Sequence, residues 1–253
     1  RPAPAVSVVV PVYGCPEALP ELHGRLARSL DALGGGWEVV FVDDACPLGS
    51  RAVLERIVAA DPRVSALVLA ENAGQHRAAL AGLGAARGAW VVVMDGDLQD
   101  PPEAIPALLA ARGDAAAVFA GRRGAYESRG RLLTSHLFKE LLHRLAGVPP
   151  DAGMFVALRR DLVEELLAFP ARRPFLVAMI GCTGRPTVSI PVERSPRPAG
   201  RSAYSSLARL RAGASAVALV LAHRLAAAGR RPVPSRPAVA ARLGSRFAAE
   251  ESR

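Results

Sequence analysis

Four short, valine-rich segments alternate with helical stretches over the first 94 residues, and this order constrains the fold more than any other feature. The segments have the length and β-branched content of buried strands, and they comprise Ser7–Tyr13, Trp37–Val42, Val64–Leu69 and Trp90–Met94. Helices are expected between them, over Leu19–Leu33, Arg51–Ala60 and Gln75–Arg87. This alternation predicts right-handed βαβ units, and therefore an α/β fold with a mostly parallel central sheet flanked by helices.

The pattern becomes less regular beyond Pro101. Further helices are expected at Pro102–Arg112, Leu132–Ala146 and Asp161–Ala168, and further strands at Ala116–Ala120 and Thr187–Val192. We therefore expect one domain over residues 1–204, followed by an amphipathic helix within residues 205–228. The final stretch, residues 229–253, is rich in Arg, Ala and Pro and is expected to be disordered.

The composition indicates anionic partners in a reducing compartment. The formal net charge is +9, and nearly all of the positive charge is arginine, since Lys139 is the only lysine. Aromatic residues do not alternate with basic ones, so no nucleic acid partner is expected. The three cysteines, Cys15, Cys46 and Cys182, are too few and scattered for a disulfide framework or a zinc site. With no signal peptide pattern and no apolar run of membrane-spanning length, we expect a cytoplasmic protein.

Polar residues follow three of the expected strands at their carboxyl ends, namely Tyr13, Asp43-Asp44 and Asp95-Gly96-Asp97. Ligands of open parallel sheets bind at this edge, so the three groups are expected to share one site. Two carboxylates separated by a glycine suit a hard divalent cation, Mg²⁺ or Mn²⁺, that shares substrate phosphates. Taken alone, either acidic pair is also compatible with a polar turn that ends a strand.

Several motifs, and their order along the chain, resemble those of the family 2 inverting glycosyltransferases. The resemblance is specifically to the dolichyl- or polyprenyl-phosphate sugar synthase branch. The motifs are Ser7–Tyr13, Phe41-Val-Asp-Asp44, Asn72-Ala-Gly-Gln-His76, Ala81-Gly82-Leu83 and the run Asp95-Gly-Asp-Leu-Gln-Asp-Pro-Pro-Glu103. The resemblance extends from about Ser7 to Tyr204. It implies a GT-A fold, a UDP- or GDP-sugar donor and a polyprenyl phosphate acceptor.

The resemblance also implies roles for individual residues. Donor binding is implied for a set of residues from the strand ends and the basic loops: Pro11, Val12, Tyr13, Asp43, Asp44, Asp95, Gly96, Gln99, Arg122, Arg197, Arg201 and Ser202. Asp95 and Asp97 match the metal motif, with Asp97 also expected to be catalytic. Arg131 and Ser135 lie where the family places acceptor-side phosphate contacts. A solvated basic loop is the alternative for the arginines, and a helix-capping role is favoured for His76.

The sequence departs from the family mainly around the acceptor and the closing loop. Gly14-Cys15 replaces the usual Asn-Glu, and Ala45-Cys46 replaces Gly-Ser. The segment Gly153–Val156 lacks the usual arginine, and Ala203 stands where a lysine is common, with Arg201 as its substitute. Because these departures lie on the acceptor side, the expected acceptor is either a polyprenyl phosphate or a soluble hydroxylated molecule.

The expected activity is transfer of a sugar with inversion, using in-line attack and a metal-held leaving diphosphate. A hydroxyl acceptor needs a general base, for which Asp151 is the candidate, whereas a phosphate acceptor does not. The alternatives are a nucleotide-sugar-binding protein without transferase activity, and a nucleotidyltransferase. The latter lacks support because Pro11–Gly14 is not a glycine-rich triphosphate loop.

The helix Ser206–Ala228 carries arginines among apolar positions. One expectation is that it lies on an anionic membrane surface, which would make the protein peripheral at the inner membrane. Packing on its own domain or on a second copy in a homo-oligomer is slightly favoured.

Overall fold

The computed structural model describes residues 3–123, 140, 142–194, 206–226 and 237–244. The strands are β1 (Val6–Val12), β2 (Trp37–Asp43), β3 (Val64–Leu69), β4 (Trp90–Val93), β5 (Ala117–Arg123), β6 (Val156–Arg159), β7 (Thr187–Glu193) and β8 (Val239–Leu243). The helices are α1 (Leu19–Asp31), α2 (Ser50–Ala60), α3 (Gln75–Ala85), α4 (Ile105–Ala110), α5 (Arg160–Ala168), α6 (Leu176–Cys182) and α7 (Ser206–Ala226). Short 3₁₀ turns at Pro16–Ala18 and Pro102–Ala104 precede α1 and α4.

All of the described strands belong to one sheet, in the order β7-β5-β6-β4-β1-β2-β3-β8. Strand β1 pairs in parallel with both β2 and β4, and β2 pairs in parallel with β3. Strand β6 is antiparallel to β4 and β5, and β7 is parallel to β5. Six strands therefore run in one direction, and the carboxyl ends of β1, β2, β4, β5 and β7 lie along the same edge.

Helices cover both faces of the sheet because its strands are apolar on both sides. On one face Val9, Val40 and Val91 belong to a buried cluster that also includes side chains of α3, α5, α6 and α7. On the other face Val8 and Phe41 belong to a second cluster, which is formed with α1, α2 and α4. Continuous burial of this kind is what distinguishes a central parallel sheet from a half-solvated one.

Gly82 allows α3 to lie unusually close to the sheet. A Cβ atom at this position would overlap Val9 Cγ1 and would lie 2.9 Å from Val42 Cγ2. Both valines are fully buried and held in strands, so neither has room to move. The Ala81-Gly82-Leu83 motif thus sets the distance between α3 and the β1–β2 pair, and with it the height of the α3 N-terminus at the sheet edge.

The sequence located most elements, and the exceptions have physical causes. Six predicted strands and the helices α1 to α5 are present within a few residues of their expected ends. Strand β6 and helix α6 were not predicted, because each is a short apolar stretch without flanking periodicity. The predicted helix over Leu132–Ala146 lies mostly outside the described residues, although 142–146 are helical.

The expectation of a disordered tail is wrong for Val239–Leu243. These residues form β8, which pairs antiparallel with β3 at the edge of the sheet. Leu243 packs against one of the core clusters. The composition rich in Arg and Ala indicated disorder, but it says nothing about main-chain hydrogen bonds. Any of these residues can form such bonds when the edge of a strand is available.

The helix expected near the C-terminus is present as α7. Ala216 and Val220 are buried on the side that packs against the domain, whereas Leu221 is exposed. None of the helices in the described part of the chain combines the length and apolarity that a membrane crossing needs.

We predict that Gly82→Ala lowers the free energy of unfolding by about 1–3 kcal/mol, because the added methyl group overpacks the contact between α3 and the sheet. Gly84→Ala in the same helix is the matched control, since a Cβ atom there meets only Leu167 Cδ2 at 3.7 Å. The control should raise stability slightly, by less than about 1 kcal/mol, through its helix propensity. Urea unfolding followed by tryptophan fluorescence measures both, and equal stability of the two variants would contradict the close approach.

Candidate active site

The polar residues predicted at three strand ends share one edge of the sheet, as expected. Val12 at the end of β1 is in register with Asp43 at the end of β2. Met94, which directly follows β4, donates its N–H to the carbonyl of Val9 in β1. Tyr13 projects from this edge with 45% of its surface exposed. Its ring is therefore accessible to a planar ligand, while Asp43 is buried beside it and its Oδ1 accepts a 2.8 Å hydrogen bond from Cys46 N.

Asp44 holds the N-terminus of α3 to the end of β2. Its Oδ1 accepts from Ala73 N at 2.7 Å and its Oδ2 from Gly74 N at 2.9 Å. Both carboxylate oxygens are thus engaged by backbone N–H groups at the start of a helix, where a negative charge is favourable. Asp44 thus anchors the two residues that precede α3, although Ala73 lies 29 residues after it in the chain. The helix-capping role expected for His76 at the start of α3 is wrong, because its Nδ1 accepts a hydrogen bond from Leu176 N instead.

The turn after β4 bends sharply at Leu98, which adopts a left-handed backbone with φ 63°. Asp97 Oδ1 accepts from Gln99 N at 3.2 Å, which closes the turn, and Leu98 is buried beneath it. Gly96 lies against β1, since a Cβ atom there would be 3.3 Å from Val10 Cγ1. Residues other than glycine seldom adopt the left-handed backbone conformation of Leu98, and those that do are concentrated at functional sites. The turn thereby presents Asp95 and Asp97, both half-buried, at the sheet edge.

Asp95 is contacted by two residues that the sequence did not identify as functional. Gln75 Nε2, at the first position of α3, donates to Asp95 Oδ1. Arg194 Nη2, just after β7, lies 3.4 Å from Asp95 Oδ2. Gln75 was noted within a family motif, but its partner is 20 residues away. Arg194 carries no local signal, because it meets Asp95 only after the β5–β6–β7 part of the sheet has formed.

Burial and polar contacts shift the pKa values of the ionisable groups at this edge in opposite directions. Burial raises the pKa of Asp43, although the Cys46 N–H and the Arg51 charge oppose this shift. Burial likewise raises the pKa of Asp44 against the N–H groups of Ala73 and Gly74. For Arg194, burial lowers the pKa, but Asp100, Asp95 and Asp97 together raise it above its usual value. Arg194 is therefore a permanent cation within the site.

The donor atoms at this edge fit a divalent cation whose coordination is completed by a substrate. Asp95 and Asp97 supply hard carboxylate oxygens at a partly exposed turn, and Mg²⁺-type sites often use one or two protein carboxylates plus phosphates. Within the described ranges, no cluster of three or more His, Cys, Asp or Glu side chains is arranged to hold a metal by itself. A two-carboxylate site of this kind would therefore depend on oxygens from a bound ligand.

Asp151 lies above β5, where Gly121 makes room for it. A Cβ atom at residue 121 would overlap Asp151 Oδ2 and would lie 2.5 Å from Ser189 Oγ on β7. The segment containing Asp151 leads directly into β6, whose first residue, Val156, pairs with Val93 at the end of β4. The candidate base Asp151 is thus on the same edge of the sheet as the acidic turn, which comprises Asp95 to Asp100. Gly121 is a residue that the sequence analysis did not identify.

The remaining predicted residues are only partly placed. Pro11 and Val12 are buried within β1, and the Val12 carbonyl accepts from Asp44 N at 3.0 Å, so their side chains do not face a ligand. Gln99 is half-buried in the acidic turn. The backbone of Arg122 lies in β5 at the site edge. The predicted residues Arg131, Ser135, Arg197, Arg201 and Ser202 lie outside the described residues.

The sequence and the fold both match known proteins. Residues 7–167 match the family described as Glycosyl transferase family 2. The chain is 36% identical over 203 residues to the undecaprenyl-phosphate 4-deoxy-4-formamido-L-arabinose transferase of Shewanella sediminis, covering 79% of this chain and 61% of that protein. It is also 36% identical over 204 residues to the protein of the same name from Sodalis glossinidius, covering 79% and 63%. The chain thus spans less than two thirds of the length of these relatives.

Solved structures of similar fold are GT-A glycosyltransferases, which confirms the predicted fold class. A mannosyltransferase from Pyrobaculum calidifontis, in complex with GDP-Man and Mn²⁺, aligns with a TM-score of 0.56 at 19% identity, covering 90% of this chain and 76% of that one. Glucosyl-3-phosphoglycerate synthase from Mycobacterium tuberculosis, with Mn²⁺, UDP and glucosyl-3-phosphoglycerate, aligns with a TM-score of 0.60 at 18% identity, covering 97% and 92%. At these identities the likeness concerns the fold alone.

We predict a loss of stability between about pH 6.5 and pH 4 that originates at His76, next to Gln75. Its Nδ1 accepts from Leu176 N at 3.3 Å and its ring lies 4.3 Å from that of Phe175, and burial lowers its pKa to about 4. The unfolded chain takes up the proton near pH 6.5, so acid favours unfolding by on the order of 2–3 kcal/mol across this window. Urea unfolding at pH 7.5, 5.5 and 4.5 should show this slope, and His76→Asn should reduce it. An unchanged slope in the variant would contradict a neutral His76 imidazole in the folded protein.

Proposed function

This chain belongs to glycosyl transferase family 2, and on that basis we propose that it transfers a sugar from a UDP- or GDP-sugar to a polyprenyl phosphate with inversion at the anomeric carbon. The observation that carries the proposal is the meeting of Tyr13, Asp43 and the Asp95–Asp97 turn at one sheet edge. This arrangement offers a surface for a base, a carboxylate for a ribose and an oxygen pair for a metal-bound diphosphate.

In this proposal the donor lies across the carboxyl ends of β1, β2 and β4. The exposed ring of Tyr13 stacks on the nucleoside, and Asp43 faces the ribose or base. Asp44 acts indirectly, since both of its oxygens are engaged in holding the start of α3. The assignment of Pro11, Val12 and Gly96 to donor binding rests on the family resemblance, since the side chains of Pro11 and Val12 are buried and Gly96 lies against Val10 of β1.

Asp95 and Asp97 are the proposed ligands of Mg²⁺ or Mn²⁺. A bound ion would stabilise the charge that develops on the departing nucleoside diphosphate. The chain itself contributes Gln75, which orients Asp95, and the Gln99 N–H, which orients Asp97. Orientation of both carboxylates by fixed donors reduces the reorganisation that binding requires. Arg122 of β5 is proposed to contact the diphosphate or the acceptor phosphate. The same role is proposed for five residues that lie outside the described part of the chain: Arg131, Ser135, Arg197, Arg201 and Ser202.

The polyprenyl phosphate acceptor is supported by the two relatives at 36% identity, whose names specify undecaprenyl phosphate. Such an acceptor lies at a membrane surface, so we propose that the protein works in the cytoplasm in peripheral contact with the membrane. The net charge of +9 favours an anionic surface. A phosphate oxygen is already a nucleophilic anion, so this acceptor needs no general base, and Asp151 would then orient the acceptor rather than remove a proton.

We predict that Asp97→Ala abolishes metal-dependent turnover of the donor, lowering the rate at least 100-fold, because it removes half of the carboxylate pair that supports the leaving group. Turnover is measured as release of UDP or GDP with Mn²⁺ and undecaprenyl phosphate present. Asp114→Ala is the matched control, because Asp114 is an exposed carboxylate in the loop before β5. Retained activity in Asp97→Ala would contradict the metal assignment. Binding of nucleotide by the wild-type protein without any turnover would favour a binding protein instead.

A second prediction separates the two acceptor classes. Asp151→Asn keeps the size of the side chain beside Gly121 but removes its basicity. With undecaprenyl phosphate in detergent micelles, the variant should stay within about tenfold of the wild-type rate, because no proton must be removed. With a hydroxylated soluble acceptor, the loss of a general base should cost on the order of 100-fold or more. Transfer only to the hydroxylated acceptor would overturn the lipid assignment, and transfer to neither would count against both.

A further inference from the structure

Arg194 connects two carboxylates of the acidic turn from the far side of the site. It follows directly after β7, which is separated from β4 by β5 and β6 in the sheet. Its Nε donates to Asp100 Oδ1 at 2.6 Å, and its Nη2 lies 3.4 Å from Asp95 Oδ2. The Arg194 side chain is only 16% exposed and that of Asp100 only 2%. A cation is therefore fixed within contact distance of a proposed metal ligand.

The two contacts of Arg194 differ in strength. The Asp100 contact is short and buried, as expected of a charge-assisted hydrogen bond that anchors the side chain. The Asp95 contact is at the limit of hydrogen-bond distance, and the other oxygen of Asp95 is held by Gln75. Asp100 thus determines where the guanidinium lies, whereas the contact with Asp95 can be exchanged without loss of the anchor.

This geometry has opposite consequences for the two charged ligands of the proposed site. A divalent cation that binds Asp95 must come close to the positive charge of the Arg194 guanidinium, which already pairs with the Asp95 carboxylate. The two cations repel each other, and partial burial strengthens this repulsion. A nucleoside diphosphate carries negative charge and offers phosphate oxygens that a guanidinium binds well. When a diphosphate and a cation arrive together, Arg194 can turn its outer nitrogen from Asp95 towards a phosphate.

We propose that Arg194 couples metal binding to nucleotide binding: it weakens the binding of a free divalent ion at Asp95 and strengthens the binding of a nucleoside diphosphate together with that ion. Arg194 is in this view a positioning residue that makes the nucleotide–metal complex, rather than the bare ion, the preferred ligand. The inference rests on the proposed nucleotide-sugar function, although its first consequence, weak binding of the free ion, is measured without nucleotide.

We predict that Arg194→Met binds Mn²⁺ about tenfold more tightly than the wild type in the absence of nucleotide, since it removes the competing charge. In the presence of saturating Mn²⁺, the same variant should bind UDP or GDP about tenfold more weakly, because a charge-assisted contact is lost. Electron paramagnetic resonance of free Mn²⁺ measures the first affinity, and calorimetry measures the second. Arg185→Met is the matched control, because Arg185 pairs with the exposed Glu165 at 3.0 Å on the protein surface. It should change neither value.

A second variant addresses the possibility of misfolding, since Arg194→Met leaves Asp100 buried without its cation. The double variant Asp100→Asn/Arg194→Met removes both members of the pair and leaves the net charge of the site unchanged. It should also bind free Mn²⁺ more tightly than the wild type, by a smaller factor, because the contact with Asp95 is absent. Wild-type protein supplies a further measurement, since its Mn²⁺ affinity should rise at least about tenfold when UDP or GDP is present.

The outcomes separate this inference from the proposed function. If the wild type binds UDP or GDP with Mn²⁺, but both Arg194 variants show wild-type affinity for free Mn²⁺, the coupling role is overturned and the function stands. If the wild type binds neither nucleotide, the proposed function fails on its own. Tighter nucleotide binding in Arg194→Met would also overturn the inference, because the guanidinium would then oppose both ligands.

Discussion

The bond between the Asp44 carboxylate and the backbone of Ala73 and Gly74 is the interaction on which the rest of the site depends. It attaches the two residues that precede α3 to the end of β2, so that Gln75 at the start of the helix reaches Asp95. The close approach at Gly82 fixes the other end of the same helix against β1 and β2. Loss of either contact would move Gln75, even though neither lies at the acidic turn. Fold and site are therefore coupled through one helix.

The carboxylates of the site are held in place by donors from the chain itself. Asp95 is contacted by an amide and a guanidinium, Asp97 by a backbone N–H, and Asp44 by two more N–H groups. Such an arrangement keeps the carboxylates oriented, and so limits the cost of assembling the site. The left-handed residues Ala45 and Leu98 each follow one of the two acidic pairs. Backbone strain is thus concentrated in the two turns that carry the chemistry.

The sequence was sufficient to predict the N-terminal part of the fold, where local patterns define each strand and helix. Valine-rich strands followed by Asp43-Asp44 and Asp95-Gly96-Asp97 predicted both the parallel sheet and the edge where the acidic residues meet, because strand direction alone brings these ends together. The same reasoning could not find Arg194 or Gly121. Arg194 meets Asp100 across 94 residues, and the role of Gly121 depends on the position of Asp151 above a neighbouring strand. Strand β6 was missed for a related reason, since its antiparallel pairing with β4 and β5 is a property of the assembled sheet.

Strand β8 has a consequence beyond its place in the topology. It covers the outer edge of β3, whose sequence Val64–Leu69 contains no charged residue and is buried throughout. An uncovered apolar edge of this kind is a template for intermolecular pairing and aggregation. The pairing shifts register between Val68 and Leu69, and β8 carries Arg242, two features that disfavour further strand addition. Shortened forms of the protein that end before residue 237 are thus expected to self-associate through β3, whatever their effect on catalysis.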